Sequence, residues 1–193
     1  MTLAILDLGC GNLGSVAVAF ERFGRQPLVT SDPAALREAD RVVLPGQGRA
    51  GYAMRQLQTL GLADLLPRLE QPVLGICLGM QMLFQRLEED AVDGLGLIPG
   101  EVRPLQPTGA RPVPHMGWSK LRVADEDIGL SDGDYVYFAH SFLCDDGPWT
   151  RAATDYGQPV PAVVRVSNFT GAQFHPEKSG PAGARFLEVW LAS

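Results

Sequence analysis

The first 90 residues alternate between short runs of apolar residues and longer segments in which apolar residues recur every three or four positions. The short runs predict strands that are buried on both faces, as in a parallel sheet, at 2–7, 27–30, 41–44 and 73–76. The longer segments predict helices at about 13–23, 34–38, 52–69, and from 78 through 83 toward the acidic residues 88–90. This alternation indicates an α/β fold with a doubly wound, mostly parallel central sheet flanked by helices.

The pattern changes after residue 96, where short apolar runs are separated by turn residues and helical spacing is scarce. The runs predict strands at 102–105, 118–123, 135–140, 151–154, 162–166 and 171–174. A last helix is predicted at 182–191, with Phe186, Val189 and Trp190 as its buried stripe. We therefore expect antiparallel strands and hairpins added to the parallel sheet, within one domain that spans residues 1–193.

Composition narrows the classes of function. The chain has 22 acidic and 16 basic residues, a net charge of −6, and no Lys/Arg cluster, so nucleic acid is not an expected ligand. No apolar run approaches membrane-spanning length, and the N-terminus lacks the basic region of a signal peptide. The three cysteines are widely spaced, which argues against a disulfide framework and a structural zinc site and fits a reducing cytoplasm.

Cys77 stands where the fourth strand passes into helical spacing, with Gly75 and Gly79 two residues to either side. This frame matches the nucleophile elbow, with cysteine in place of serine. Glycines at these positions let the backbone turn sharply and still pack. A helix that begins at the sulfur favours thiolate over thiol, and it leaves the N–H of Leu78 free to receive an oxyanion. The alternative is a buried cysteine that only packs at a strand end.

A glycine-rich segment, 9–15, follows the first strand and formally fits the G-x-G-x-x-G of a dinucleotide site, with Asp32 near the spacing of a ribose-binding acid. Asp32 precedes Pro33, however, and resembles the N-cap of the helix at 34–38. A tight glycine turn at the carboxyl edge of the sheet is therefore favoured. Asn12 tolerates the left-handed conformation in such a turn and presents its amide at that edge.

The third strand ends in a second glycine loop, residues 45–48, in which Gly46 and Gly48 flank Gln47. Such a loop is flexible, and its N–H groups can point outward toward an anion. On its own, an ordinary turn is the favoured interpretation. Ligands of doubly wound sheets bind beyond the carboxyl ends of the strands, where both glycine segments and Cys77 are predicted to lie.

Three histidines, His115, His140 and His175, are candidate bases for Cys77. In an extended chain, residues two apart project to the same face, so His175 and Glu177 would project together. A carboxylate beside an imidazole fixes its tautomer and stabilises the imidazolium. Cys77, His175 and Glu177 would then be the nucleophile, base and orienting group that acyl transfer through a thioester requires. The alternative for a lone histidine is a core residue with satisfied hydrogen bonds.

The segments GICLGMQ at 75–81 and QFHPE at 173–177 resemble those of the class I (triad) glutamine amidotransferases, and the resemblance covers the whole chain. Within this class, four further segments are similar to the glutaminase subunits of imidazole glycerol phosphate synthases in histidine biosynthesis; they lie at 7–15, 113–118, 137–142 and 175–179. Three positions depart from that group: Gln47 replaces a valine, Ser119 an asparagine, and Phe142 a tyrosine.

The resemblance implies a glutaminase that releases ammonia and needs no cofactor or metal. It implies an oxyanion hole formed by the N–H groups of Leu78 and Gly48. The residues implied to bind glutamine are Gln81, Glu89, Ser141 and Phe142. Glu89 would meet the ammonium group of glutamine, although its alternative is a solvated helix end.

The resemblance also implies a partner, a (β/α)8-barrel cyclase subunit that forms a heterodimer with this chain and uses the ammonia to make imidazole glycerol phosphate and AICAR. In water at neutral pH ammonia becomes ammonium, which is not a nucleophile, so a dry path between subunits is expected. The candidate docking residues are Asn12, Met116, Trp118 and Lys178. Trp118 is the expected anchor, with core packing as its alternative. The loaded partner is expected to set the oxyanion loop.

Three other functions compete with this one. The chain could serve another class I synthase, such as one that makes pyridoxal phosphate. It could be a cysteine hydrolase acting on peptides or thioesters. It could also be a catalytically silent docking subunit, against which the intact Cys77, His175 and Glu177 argue.

Overall fold

The computed structural model describes residues 1–109 and 111–193. The strands are β1 (Leu3–Leu6), β2 (Leu28–Thr30), β3 (Arg41–Leu44), β4 (Val73–Ile76), β5 (Phe84–Leu87), β6 (Val92–Asp93), β7 (Ile98–Pro104), β8 (His115–Val123), β9 (Tyr135–His140), β10 (Phe142–Cys144), β11 (Thr150–Asp155), β12 (Pro159–Val166) and β13 (Phe169–Ala172). The helices are α1 (Leu13–Glu21), α2 (Pro33–Glu38), α3 (Ala50–Thr59), α4 (Leu78–Gln81) and α5 (Gly180–Ala192). Short 3₁₀ turns occupy Leu66–Arg68, Glu89–Ala91, Glu126–Ile128 and Pro176–Lys178.

Nine strands form the main sheet, in the order β2-β1-β3-β4-β13-β12-β11-β8-β9. The first five are parallel, and the remaining pairs are antiparallel. The expected α/β fold, with antiparallel strands added in the C-terminal half, is confirmed. Within the described ranges, no helix is both long and apolar enough to cross a bilayer.

Alternate residues of the parallel strands enter two separate cores. Leu3 and Ile5 of β1 pack with Phe20 of α1 and with α5 on one face of the sheet. Ala4 and Leu6 pack with α3 on the opposite face. Because successive side chains of a strand point to opposite faces, this two-sided burial explains why the parallel strands read as continuous apolar runs.

Two predicted helices are shorter than expected. The helix expected from 78 toward 90 ends at Gln81, and residues Phe84–Leu87 form strand β5 instead. This prediction was wrong because β5 pairs with β7 and buries Phe84 and Leu87, whose spacing also suits a helix. Likewise α3 ends at Thr59, where the N–H groups of Leu62 and Ala63 turn back to the carbonyl of Leu57.

A second, four-stranded sheet, in the order β10-β7-β5-β6, was not expected. Three of its strands, β5, β6 and β10, were not predicted, and β7 begins at Ile98 rather than at 102. The missed strands have two to four residues, too few to show a period of two. The sheet matters for the site, because β10 carries Phe142 and the chain leaving β5 carries Glu89.

Candidate active site

Three loops meet at one edge of the main sheet because β3, β4 and β13 are neighbours and run parallel. The register aligns Gly75 with Gly171 and Ile76 with Ala172. The carboxyl ends of these strands therefore place the 45–48 loop, Cys77 and the 173–175 segment side by side. Cys77 and His175 are far apart in sequence but belong to adjacent strand ends.

Cys77 forms a sharp elbow between β4 and α4. Its φ of 55° lies in the left-handed region, which a residue with a side chain occupies only when its surroundings enforce it. A Cβ on Gly79 would lie 1.8 Å from the carbonyl oxygen of Leu44, and one on Gly75 would lie 2.6 Å from the backbone of Gly79. Only glycine fits at either position. Helix α4 is a single turn, so its dipole is smaller than that of the longer helix we expected.

His175 and Glu177 form a buried pair beside this elbow. Nδ1 of His175 lies 2.8 Å from Oε1 of Glu177, and their side chains are 3% and 2% exposed. Burial lowers the pKa of His175, but its hydrogen bonds and charge interactions with Cys77 and Glu177 raise it to about 9. Since Nδ1 faces Glu177, Nε2 is the nitrogen available to Cys77.

A cavity of about 310 Å³ opens over Cys77 and His175. The other predicted oxyanion and glutamine residues line it together: Gly48, Leu78, Gln81, Glu89, Ser141 and Phe142. Glu177 does not line this cavity but lies behind His175. Gln47 and Met116 also contribute to the wall, so the departure at position 47 falls within the candidate site.

Glu89 is not a solvated helix end. One of its carboxylate oxygens lies 2.9 Å from the N–H of Ala50, and Asp90 accepts from the N–H of Gly51 at 3.0 Å. These two acids therefore hold the N-terminus of α3, directly after the 45–48 loop. Glu89 also lines the cavity, so the same side chain contacts both the start of α3 and the space for a ligand.

His115 and His140 bond to each other instead of to Cys77. Their Nδ1 and Nε2 atoms lie 2.9 Å apart, and burial lowers the pKa of His115 to about 3 and that of His140 to about 4. His140 lines the cavity, whereas His115 stacks on Phe138 and Tyr156. Of the three candidate bases, His175 is therefore the one placed to exchange a proton with Cys77.

Gln173, in the QFHPE segment, also lies at the site, although the sequence patterns predict no role for it. Its side chain is 0% exposed, and its Nε2 lies 3.7 Å from Sγ of Cys77. Its Oε1 lies 3.0 Å from Nε2 of Gln81. A polar residue two positions before the histidine, on the same side of an extended chain, was the available signal.

The candidate docking residues lie around the outside of the site. Met116 and Trp118 are 65% and 54% exposed, so Trp118 is not a core residue. Lys178 is exposed and lies over the ring of Tyr137, which contacts Trp118 edge-on at 6.0 Å between centroids. Asn12 is exposed and caps α1, since its Oδ1 accepts from the N–H of Ser15. The glycine segment is thus a helix-capping turn, and Asp32 caps α2 as expected.

The described ranges contain no group of three His, Cys, Asp or Glu residues arranged to hold a metal ion. Cys77 and His175 line the cavity, Glu177 is bonded to His175, and backbone N–H groups adjoin them. This set can attack a carbonyl carbon, receive the oxyanion and transfer a proton to a leaving group.

The chain is similar to known proteins over nearly its whole length. The family described as glutamine amidotransferase class-I matches residues 6–192. The chain is 46% identical over 196 residues to imidazole glycerol phosphate synthase subunit HisH of Idiomarina loihiensis, covering 99% of this chain and 100% of that protein. It is 46% identical over 195 residues to the protein of the same name from Escherichia coli K12, covering 99% of each. A solved structure described as a glutamine amidotransferase has a TM-score of 0.76 at 19% identity, covering 98% of this chain and 99% of that one, which shows the shared fold.

Proposed function

Because the chain belongs to the class I glutamine amidotransferase family, we propose that it is the glutaminase subunit of an imidazole glycerol phosphate synthase and acts in histidine biosynthesis. The single observation that carries the proposal is the cavity over Cys77 and His175, with Glu177 bonded to His175 behind them. The whole chain, 1–193, acts as one amidotransferase domain in the cytoplasm.

The reaction begins with attack of the Cys77 thiolate on the carboxamide carbon of glutamine. The N–H groups of Leu78 and Gly48 receive the oxyanion, and losing one such donor would raise the barrier by about 3 kcal/mol. Gln81, Glu89, Ser141 and Phe142 hold the amino-acid end of the substrate. Their common position in the wall of one cavity supports this assignment.

His175 carries the protons of both half-reactions. It donates one to the departing nitrogen, so that ammonia leaves and a thioester remains on Cys77. It then takes a proton from water, which attacks the thioester and releases glutamate. Glu177 holds the imidazole and stabilises its protonated form, consistent with the raised pKa of His175.

The ammonia passes to a (β/α)8-barrel cyclase subunit, which uses it to form imidazole glycerol phosphate and AICAR. Docking uses Asn12, Met116, Trp118 and Lys178. The exposed Met116 and Trp118 support this surface, since large apolar side chains exposed together mark interaction sites. The relatives are named as synthase subunits, which supports the existence of a partner.

The test is ammonia release from glutamine, measured for the chain alone, with the matching cyclase, and with the cyclase and its nucleotide ligand. We expect activity to rise at each addition and to disappear in Cys77→Ala. Normal ammonia release by Cys77→Ala would contradict the mechanism. Equal rates with and without the liganded cyclase would contradict gating, and turnover of peptides or thioesters but not glutamine would favour the hydrolase.

A further inference from the structure

Two buried glutamine side chains link the wall of the cavity to the nucleophile. Gln173 is 0% exposed and Gln81 is 5% exposed, so the hydrogen bonds of both amides must be made within the protein. In the proposed reaction Gln81 contacts the substrate, whereas Gln173 has no role. Gln173 nevertheless lies 3.7 Å from the sulfur that reacts.

The backbone carbonyl of Phe142 fixes which way these amides point. A carbonyl oxygen can only accept, so the group of Gln81 that lies 3.2 Å from it must be the donor, Nε2. The same Nε2 lies 3.0 Å from the amide of Gln173, which must therefore present its oxygen, Oε1. The remaining group of Gln173, its NH₂, is left facing Sγ of Cys77.

A second chain of hydrogen bonds reaches the same carbonyl from the opposite direction. Nδ1 of His140 lies 2.8 Å from the oxygen of Phe142 and must donate to it, so its Nε2 accepts from Nδ1 of His115. Nε2 of His115 in turn accepts from Oγ of Ser119 at 2.8 Å. The lowered pKa values of both histidines keep them neutral, as this arrangement requires. The carbonyl of Phe142 thus accepts from two donors, Nε2 of Gln81 and Nδ1 of His140, and the hydrogen-bond directions along the two paths are consistent with each other.

We propose that Gln173 is a catalytic residue whose amide N–H donates a hydrogen bond to Sγ of Cys77 and stabilises the thiolate. In the first step the S–C bond forms and the C–N bond breaks, with the proton for nitrogen supplied by His175. In the second step water forms the new O–C bond, and the C–S bond breaks with its electron pair returning to sulfur. Gln173 transfers no proton. It stabilises sulfur where sulfur is negative, at the start and at the end.

The same arrangement determines how Gln81 can meet the substrate. Both hydrogens of its NH₂ group are taken, one by the carbonyl of Phe142 and one by Gln173. Only Oε1 of Gln81 remains for glutamine, and it can only accept.

The test is the rate at which a small electrophile, iodoacetamide, alkylates Cys77 between pH 5 and pH 10. Gln173→Met removes the donor while keeping the length of the side chain, and we expect alkylation about tenfold slower near pH 7. Gln173→Glu keeps an acceptor for Gln81 but turns an oxygen toward the sulfur, so it should be slower still. Gln71→Met, which removes the amide bonded to the carbonyl of Leu36, is the matched control and should leave the rate unchanged.

An alkylation profile of Gln173→Met or Gln173→Glu that superimposes on that of the unaltered chain would overturn the proposal. If Gln173→Met does not fold, judged by its melting temperature, the profile of Gln173→Glu decides. The proposal rests on the proposed function in naming glutamine as the substrate, but alkylation requires no glutamine. If the variants are alkylated at the expected rates but the unaltered chain releases no ammonia from glutamine, the glutaminase function is contradicted and the role of Gln173 is not.

Discussion

The three histidines occupy two environments that shift their pKa values in opposite directions. All are buried, at 2% exposure for His175, 1% for His115 and 5% for His140, and burial lowers the pKa of each. The pKa of His175 nevertheless rises to about 9 beside Glu177 and Cys77. The pKa of His115 falls to about 3 and that of His140 to about 4, and burial is the largest cause of both shifts. Positive charge nearby lowers these pKa values further, from His140 and Arg111 for His115 and from His175 for His140.

All three histidines are similarly buried, so the interactions of His175 with Cys77 and Glu177, and not the degree of burial, decide which histidine carries a proton. A protonated His175 can give its proton to departing ammonia. Neutral His115 and His140 each have one donor and one acceptor, which suits them to a directed chain of hydrogen bonds. The same residue type thus transfers protons in one environment and positions a carbonyl in the other.

The largest effect should come from removing one histidine of each environment. His175→Ala removes the group that transfers protons, so we expect glutaminase kcat/KM to fall by about 10⁵-fold or more. His140→Phe removes one donor to the carbonyl of Phe142 and leaves proton transfer intact, so we expect a loss of only about tenfold. Ammonia release in the presence of the liganded partner measures both. Similar losses in the two variants would show that the environments do not differ in role.

A smaller loss should follow when the carboxylate is neutralised. Glu177→Gln keeps a similar shape but removes the charge that stabilises the imidazolium, so we expect kcat to fall by about 10³- to 10⁴-fold. The pH dependence of ammonia release should change as well, because the pKa of His175 would move back toward that of His115 and His140. Activity unchanged in Glu177→Gln would mean that Cys77 alone keeps His175 protonated.

The two environments also predict opposite effects of pH on stability. The pKa of His175 in the folded chain, about 9, lies above the ordinary value of 6.5, so its stabilisation is complete below pH 6.5 and is lost as the pH rises through 9. The folded pKa values of His115 and His140 lie below 6.5, so their contribution is present above pH 6.5 and is lost as the pH falls toward 4 and then 3.

Urea unfolding from pH 4 to pH 10 measures these contributions as differences between variants. Glu177→Gln should flatten the alkaline side of the curve, and His115→Phe should flatten the acid side while keeping the stacking on Phe138 and Tyr156. Subtracting the free energy of unfolding of each variant from that of the unaltered chain at the same pH cancels the contribution of surface carboxylates, which both share. Each variant should leave the opposite side unchanged, and a change on both sides would argue against two independent environments.

The parallel half of the fold and the Cys, His and Glu set were predictable from sequence. Two-sided burial produces continuous apolar runs, and the spacing of His175 and Glu177 places them on one face. Their meeting with Cys77 depends instead on β13 pairing with β4, a pairing over nearly a hundred residues that no local pattern encodes. The resemblance to a known family predicted that His175 meets Cys77, which the periodicity of the sequence could not predict.

The histidine pair and the direction of the Gln173 amide could not be predicted from sequence, for a different reason. His115 and His140 face each other only because β8 and β9 pair in the register that opposes them. The direction of the Gln173 amide depends on the carbonyl of Phe142, which lies on a three-residue strand that was not predicted. The direction of the Gln173 amide therefore depends on a short strand of the second sheet, and the histidine pair depends on the register of two strands in the main sheet.

The smallest effect should come from Ser119, at the far end of the histidine chain. Ser119→Ala leaves Nε2 of the buried His115 without its donor, so we expect the free energy of unfolding to fall by about 1 kcal/mol. Ser119→Asn restores an N–H donor, and asparagine is the residue that the similar glutaminase subunits usually have at this position. We expect the free energy of unfolding of this variant to stay within about 0.5 kcal/mol of that of the unaltered chain.

Urea unfolding at pH 7 separates these outcomes, with Ser131→Ala, at an exposed turn, as the control that should change nothing. The KM for glutamine should rise by about threefold or less in Ser119→Ala, since His140 keeps its own bond to Phe142. If Ser119→Ala were as stable as the unaltered chain while His140→Phe lost activity, the positioning of Phe142 would depend on His140 alone. The series of hydrogen bonds that positions the carbonyl of Phe142 would then begin at His140 and not at Ser119.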